Sequence, residues 1–195
     1  MDGTLSPLSE PTGQGPASHV YSKPGIYGVR ISVTDRSGNK ADDVLQFVVI
    51  YDANAGGVNG GGWIQSKAGS DIRNPSLSGR ANFGFVAKYK AGASLPSGQT
   101  EFSFGKSKFH SDGYEWLVVE EEGAQLKGYG SVNGVSGFSF LLTITDGHCR
   151  DQKDKFRVKI WNASGTVYDN VLGAPDEINP ADLQDIGQGS ISIHR

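Results

Sequence analysis

Residues 19–50, HVYSKPGIYGVRISVTDRSGNKADDVLQFVVI, read as two β-strands joined by a turn. Val29, Ile31 and Val33 alternate with Arg30, Ser32 and Thr34. Strict alternation bounded by Gly, Asn, Asp and Ser is the pattern of half-buried antiparallel strands. Pro24-Gly25 suits a type II turn, because proline presets φ and glycine accepts φ > 0. Asp35 and Gly38 predict the hairpin turn into a second strand at 43–50. Two strands do not make a sandwich, which takes about 7 strands and roughly 80–100 residues. Only 18 residues precede His19, so the stretch reads as the end of one module fused to a second, larger one.

The same alternation runs through the rest of the chain. Phe83, Phe85, Ala87 and Tyr89 share a face, with Lys88 on the other. Phe138, Phe140, Leu142 and Ile144 form another face, and Phe156, Val158 and Ile160 oppose Arg157, Lys159 and Trp161. Ile191 and Ile193 close the series. Strands are predicted at 62–67, 80–90, 99–105, 114–121, 124–133, 136–146, 155–163, 166–171 and 188–194. The only helical signal is PADLQDI, 180–186, with Pro180 at its first position and Asn179 as cap. The run DANAGGVNGGG, 52–62, holds five glycines and marks a boundary. The chain divides into a partial sandwich over 1–52, a linker over 53–61 and a second β-domain over 62–195. The fold class is all-β: a truncated sandwich plus a larger antiparallel β-sandwich, with a jelly roll as one arrangement.

Composition narrows the partners. The 195 residues carry 18 basic and 21 acidic side chains, a net charge of −3. Neither part has the clustered Lys and Arg that phosphate binding needs, so nucleic acid is not expected. No stretch reaches the ~20 apolar residues of a membrane helix. The single cysteine, Cys149, allows no internal disulfide. A large buried core makes export compatible with that. The N-terminus lacks the basic start and apolar run of a signal peptide, so an exported parent would carry its signal upstream.

His19-Val20-Tyr21 followed by Pro24-Gly25, Tyr27, Val29, Ile31, Val33, Asp35 and Gly38 resembles the C-terminal half of a PKD (polycystic kidney disease) domain. The resemblance covers about residues 17–50 and implies an immunoglobulin-like sandwich. It makes Tyr27 the counterpart of the tyrosine corner of such folds. The family's earlier strands have no counterpart here beyond Met1-Asp2-Gly3-Thr4. A half-sandwich exposes sheet edges, which the second domain, a partner chain or self-association would have to cover. Residues 62–195 resemble a region that follows such repeats in bacterial secreted and surface proteins. Its carriers are GGWI (61–64), GRANFGFVAKY (79–89), TEFSF (100–104), YEWLVV (114–119), KFRVKIW (155–161) and VYDN (167–170). The resemblance implies an extracellular or cell-surface location in a bacterium and carries no activity.

Four kinds of chemistry are represented. Asp146, Asp151 and Asp154 cluster between two strands, and Asp176, Glu177, Asp182 and Asp185 crowd the last loop. Such loops can supply the 6–8 oxygens that Ca²⁺ takes, although short aspartates also form turns without any ion. His110, Ser111 and Asp112 are adjacent, and His148 lies beside Asp146 and Cys149. These are the candidates for a hydrolytic site, but such sets are recognised by geometry, not adjacency. No Gly-x-Ser-x-Gly elbow is present, and the four histidines offer no H-x-H pair for catalytic zinc. Glu120-Glu121-Glu122 read as a solvated hairpin tip, not a glycosidase pair. Of the three tryptophans, Trp161 opposes the apolar face of its strand and is a candidate for stacking on a sugar, with Trp63 second. Trp116 shares a face with Tyr114 and Val118 and reads as core. The favoured function is a non-catalytic accessory or adhesion region that binds polysaccharide or a cell-surface protein, with structural calcium. A small metal-dependent ester or lactone hydrolase and a structural spacer are the alternatives.

Overall fold

A computed structural model describes residues 19–21, 25–50, 56–148, 152–178 and 182–194. The expectations for Met1-Thr4, Pro24, Cys149, Asp151, Asn179 and Pro180 lie outside these residues.

Strands β1 (Gly25–Thr34) and β2 (Lys40–Ile50) form an antiparallel hairpin of their own. Its turn is built as the sequence implies. Gly38 has φ 85°, and Asp35 Oδ1 accepts the N–H groups of Ser37 at 2.8 Å and Asn39 at 2.9 Å. Hydrogen bonds from Asn39 hold the Asp35 carboxyl below its ordinary pKa. The Tyr27 ring packs on Tyr21, 4.4 Å between centroids. A two-stranded sheet encloses no core. Accordingly Ile31 and Val33 are 48 % and 54 % exposed, where alternation alone suggests a buried face.

The larger sheet begins with β3 (Gly57–Ser66), β4 (Gly79–Tyr89), β5 (Pro96–Phe104) and β6 (Ser107–Val119). It continues through β7 (Gly123–Val132), β8 (Val135–Thr145), β9 (Lys155–Asn162) and β10 (Gly165–Asp169). β11 (Gln184–Asp185) and β12 (Gln188–His194) follow. Each of the nine strands expected after residue 61 falls on one of these. Neighbours from β3 to β10 follow sequence order and all pairs are antiparallel. The sheet is therefore an up-and-down meander, not the pair of Greek keys that makes a jelly roll.

This one sheet folds over and supplies both layers of the sandwich. Phe83 of β4 stacks on Phe156 of β9 at 4.0 Å, and Phe102 of β5 meets Tyr168 of β10 at 4.6 Å. Strands from opposite ends of the meander thus share one core, which also holds Ile64, Leu117, Leu126, Phe140, Val158 and Ile191. Bulges in β6 between Ser111 and Gly113, and between Tyr114 and Trp116, increase its local bend. The second bulge shifts the alternation. Leu117 takes the inner position that Trp116 would otherwise hold, and Trp116 is half-buried.

The glycine run expected as a linker is strand from Gly57 onward. A Cβ on Gly60 would lie 2.7 Å from the Phe85 ring, and one on Gly62 would lie 2.3 Å from the Gln188 carbonyl. These glycines let β4 and β12 approach β3 closely.

β5 and β6 pair only over Glu101–Phe104 and then separate. Side chains satisfy the backbone beyond that point. Ser111 Oγ accepts Thr100 N–H at 2.7 Å, and Tyr114 Oη donates to the Val86 carbonyl at 3.0 Å. Tyr89 Oη donates to Leu117 C=O at 3.3 Å and accepts its N–H at 3.2 Å. Burial pushes the Tyr114 phenol above its ordinary pKa, which keeps it a donor.

The outer margins are closed as well. Ile72 N–H bonds the Val167 carbonyl at 3.0 Å and Asp169 N–H bonds Ser70 at 2.9 Å, covering the free side of β10. Gln184 and Asp185 pair with Phe156 and Lys155 of β9, and β12 then pairs with β3 along its length. Where a helical turn was expected, Asp182 lies in a turn and Gln184–Asp185 form a short strand, because their backbone pairs with β9.

On the outer face of β9, Arg157 is 2 % exposed. Its Nε and Nη2 donate to Asp169 at 3.0 and 2.8 Å, Nη1 to Pro175 C=O at 2.8 Å, and Nη2 to Ala174 C=O at 3.1 Å. Burial opposes its charge, and the pairing with Asp169 outweighs that, so its pKa lies above the ordinary value. The guanidinium thereby ties the 174–176 loop to the sheet.

Two substitutions test this account. Tyr89→Phe should cost about 1–3 kcal/mol in urea unfolding, because Leu117 loses both partners in a buried setting. Asp169→Ala should cost up to about 3–5 kcal/mol, because the buried guanidinium keeps only Asp176 as a counter-charge, and Arg157→Met with Asp169→Leu should recover most of that.

Candidate functional site

The long β8–β9 loop brings together three residues that the sequence placed in two separate sets. Asp146, His148 and Asp154 offer ligand atoms that all lie within 4.8 Å of one another. His148 Nδ1 is 3.1 Å from Asp146 Oδ1 and 3.5 Å from Asp154 Oδ1. Asp154 is buried and fixed: Oδ1 accepts Gly147 N–H at 2.9 Å and Oδ2 accepts Ile191 N–H at 2.7 Å. Asp146 Oδ2 accepts Ile193 N–H at 3.2 Å. Both carboxylates therefore face the outer edge of β12, and their Oδ1 atoms face His148.

The other acidic set does not gather. Lys159 Nζ lies 2.5 Å from Asp176 Oδ2, and Arg157 lies 3.1 Å from Oδ1. Glu177 is exposed, and its carbonyl accepts Gln125 Nε2 at 3.1 Å. Asp182 and Asp185 are exposed. Among the described residues, Asp146, His148 and Asp154 are the only three-residue group with metal-ligand geometry.

The hydrolytic set is separated by the pleat. His110 is exposed and bonds Glu101 Oε1 at 2.6 Å, while Ser111 is buried and serves Thr100. Asp112 is exposed again. Successive side chains on a strand point to opposite faces, so His110 and Ser111 cannot act on one substrate atom. A cavity lined by Asp71, Phe102, Phe109, Ile160 and Tyr168 has a volume of about 10 Å³, room for roughly one water.

The tryptophans also differ. Gly187 lies against the six-membered ring of Trp63, where an added Cβ would be 2.4 Å from Cη2. The Arg80 guanidinium lies 5.0 Å from the ring centroid, and Trp63 Nε1 is buried without a partner. The chain itself covers this indole. Trp161 is half-buried on the outer face of β9, and Lys159 Nζ lies 5.8 Å from its ring.

Trp161 has a neighbour that sequence reading missed. The register places Tyr129, Ser139 and Trp161 side by side across β7, β8 and β9. Tyr129 is 51 % exposed, and its phenol lies over Gly113, where an added Cβ would be 2.6 Å from Oη. The signal was Gly128-Tyr129-Gly130, in which glycine faces inward on both sides of an outward aromatic. The cations of this face are paired: Lys127 with Glu115 at 2.6 Å, Lys159 with Asp176, and the buried Arg157 with Asp169 and Asp176.

No protein-family model, curated protein or solved structure matches the chain. None of these comparisons supports the resemblance of residues 17–50 to a PKD domain. Among the described residues no helix is long and apolar enough to cross a membrane.

Proposed function

We propose that residues 57–194 form a non-catalytic binding module that takes a neutral polysaccharide on the outer face of β7–β9. The observation that carries this reading is the row Tyr129–Ser139–Trp161. Two aromatic residues flank a small serine, their backbones about 9.6 Å apart at two strand spacings. Gly113 supports the Tyr129 phenol from beneath. An aromatic ring held this way meets the apolar side of a sugar at little cost in side-chain entropy. The paired lysines leave no net charge to favour an anionic chain. The separation of His110 from Ser111 favours binding over catalysis. With the PKD-like hairpin, the module fits an accessory region of a secreted or surface bacterial protein.

Trp161→Ala and Tyr129→Ala should each weaken retention on insoluble cellulose, chitin or xylan about three- to ten-fold, taking a stacked ring at roughly 0.5–1.5 kcal/mol. The melting temperature should not fall. Trp63→Ala, which removes an indole covered by the chain itself, should instead lower the melting temperature. Retention that is unchanged on all three glycans in both outer-face variants would sink the proposal.

A further inference from the structure

We propose that Asp146, His148 and Asp154 bind a divalent cation of the nitrogen-accepting class, Zn²⁺ or a close relative, and that the cation locks strand β12.

Two of the donor separations lie near those one ion sets, and the third, between the two carboxylate oxygens, is within 4.8 Å. His148 Nδ1 lies 3.1 and 3.5 Å from oxygens of two different carboxylates. Ligands about 2.0–2.2 Å from one tetrahedral zinc lie roughly 3.3–3.6 Å apart. One Nδ1–H can point at only one of the two oxygens, whereas a metal would use both.

The charge balance points the same way. Asp154 is 5 % exposed and Asp146 is 18 % exposed at the side chain. Among the described residues no lysine or arginine pairs with either; the only ion-pair partner is His148. Each carboxylate accepts two backbone N–H groups, Asp154 from Gly147 and Ile191 and Asp146 from His148 and Ile193, which orders both as acceptors beside the imidazole.

The site is also built from behind. The Oδ2 atoms are held by the N–H groups of Ile191 and Ile193, which fixes the carboxylates with Oδ1 toward the imidazole. His148 is 71 % exposed, so an ion reaches the site from solvent. Calcium takes 6–8 oxygens and has little use for the nitrogen; two carboxylates with an imidazole suit zinc better. Three protein ligands leave a position for water or another donor.

The consequence concerns β12. The carboxylates that would bind the ion also hold the outer edge of this strand, so an occupied site resists its opening.

The test begins with full-length protein stripped by chelator and returned to Zn²⁺, Ca²⁺ or no metal. Zn²⁺ should raise the melting temperature and slow hydrogen exchange at the Ile191 and Ile193 amides about ten-fold, and Ca²⁺ at equal concentration should do neither. Co²⁺ should give a visible d–d band. His148→Ala, at an exposed position, should keep the metal-free melting temperature and weaken Zn²⁺ at least ten-fold. Asp146→Asn keeps an oxygen for Ile193 N–H and should lose Zn²⁺ equally. A protein indifferent to Zn²⁺, a Zn²⁺ response that survives both variants, or a response to Ca²⁺ alone would overturn the proposal.

Discussion

A single antiparallel sheet folded over on itself leaves margins whose N–H and C=O groups need partners. The segment Gln184–His194 provides for two of them. Its first residues pair with β9, its last seven pair with β3, and Ile191 reaches the core. The outward N–H groups of Ile191 and Ile193 would then be unpaired, and Asp154 and Asp146 accept them. Other features follow from this closure. Phe83 can stack on Phe156 only with the two layers held together. Trp63 is covered in part because Gly187 lies on it. Side chains solve the same problem where β5 and β6 separate, with hydroxyl groups of Tyr89, Tyr114 and Ser111 in place of a ladder.

Much of this was legible in the sequence because half-buried strands write their burial in alternate residues. Phe83-Phe85-Ala87-Tyr89 and Phe156-Val158-Ile160 face the core as the pattern requires. The pattern fails where its period breaks. The bulge between Tyr114 and Trp116 exchanges inside for outside, and nothing in Tyr-Glu-Trp-Leu announces it. The glycines of β3 suggest flexibility by composition, yet they lie in a strand because Phe85 and Gln188 need their missing Cβ atoms. Strand order was illegible for a different reason: alternation says which face a residue takes, not which strand lies beside it.

The site residues divide on the same line. Asp146 and Asp154 were visible as acids in one loop. That His148 joins them depends on how the loop turns back, which a linear pattern does not encode. His110 and Ser111 were adjacent in sequence and for that reason opposed in space. Tyr129 was hidden because its placement depends on Gly113, a residue on the neighbouring strand.

The pairing of Gly57 with His194 carries a kinetic consequence. The meander from β3 to β10 can form hairpin by hairpin, each connection closing a loop far shorter than the span from β3 to β12. β12 cannot, because its partner strand lies almost the whole domain away in sequence, and loop-closure entropy opposes the contact until the meander exists. Non-local pairing of this kind slows folding. As the polypeptide grows from its N-terminal side, β3 must wait with one edge bare until β12 has emerged, and this is the interval in which the domain is most open to pairing with the wrong strand.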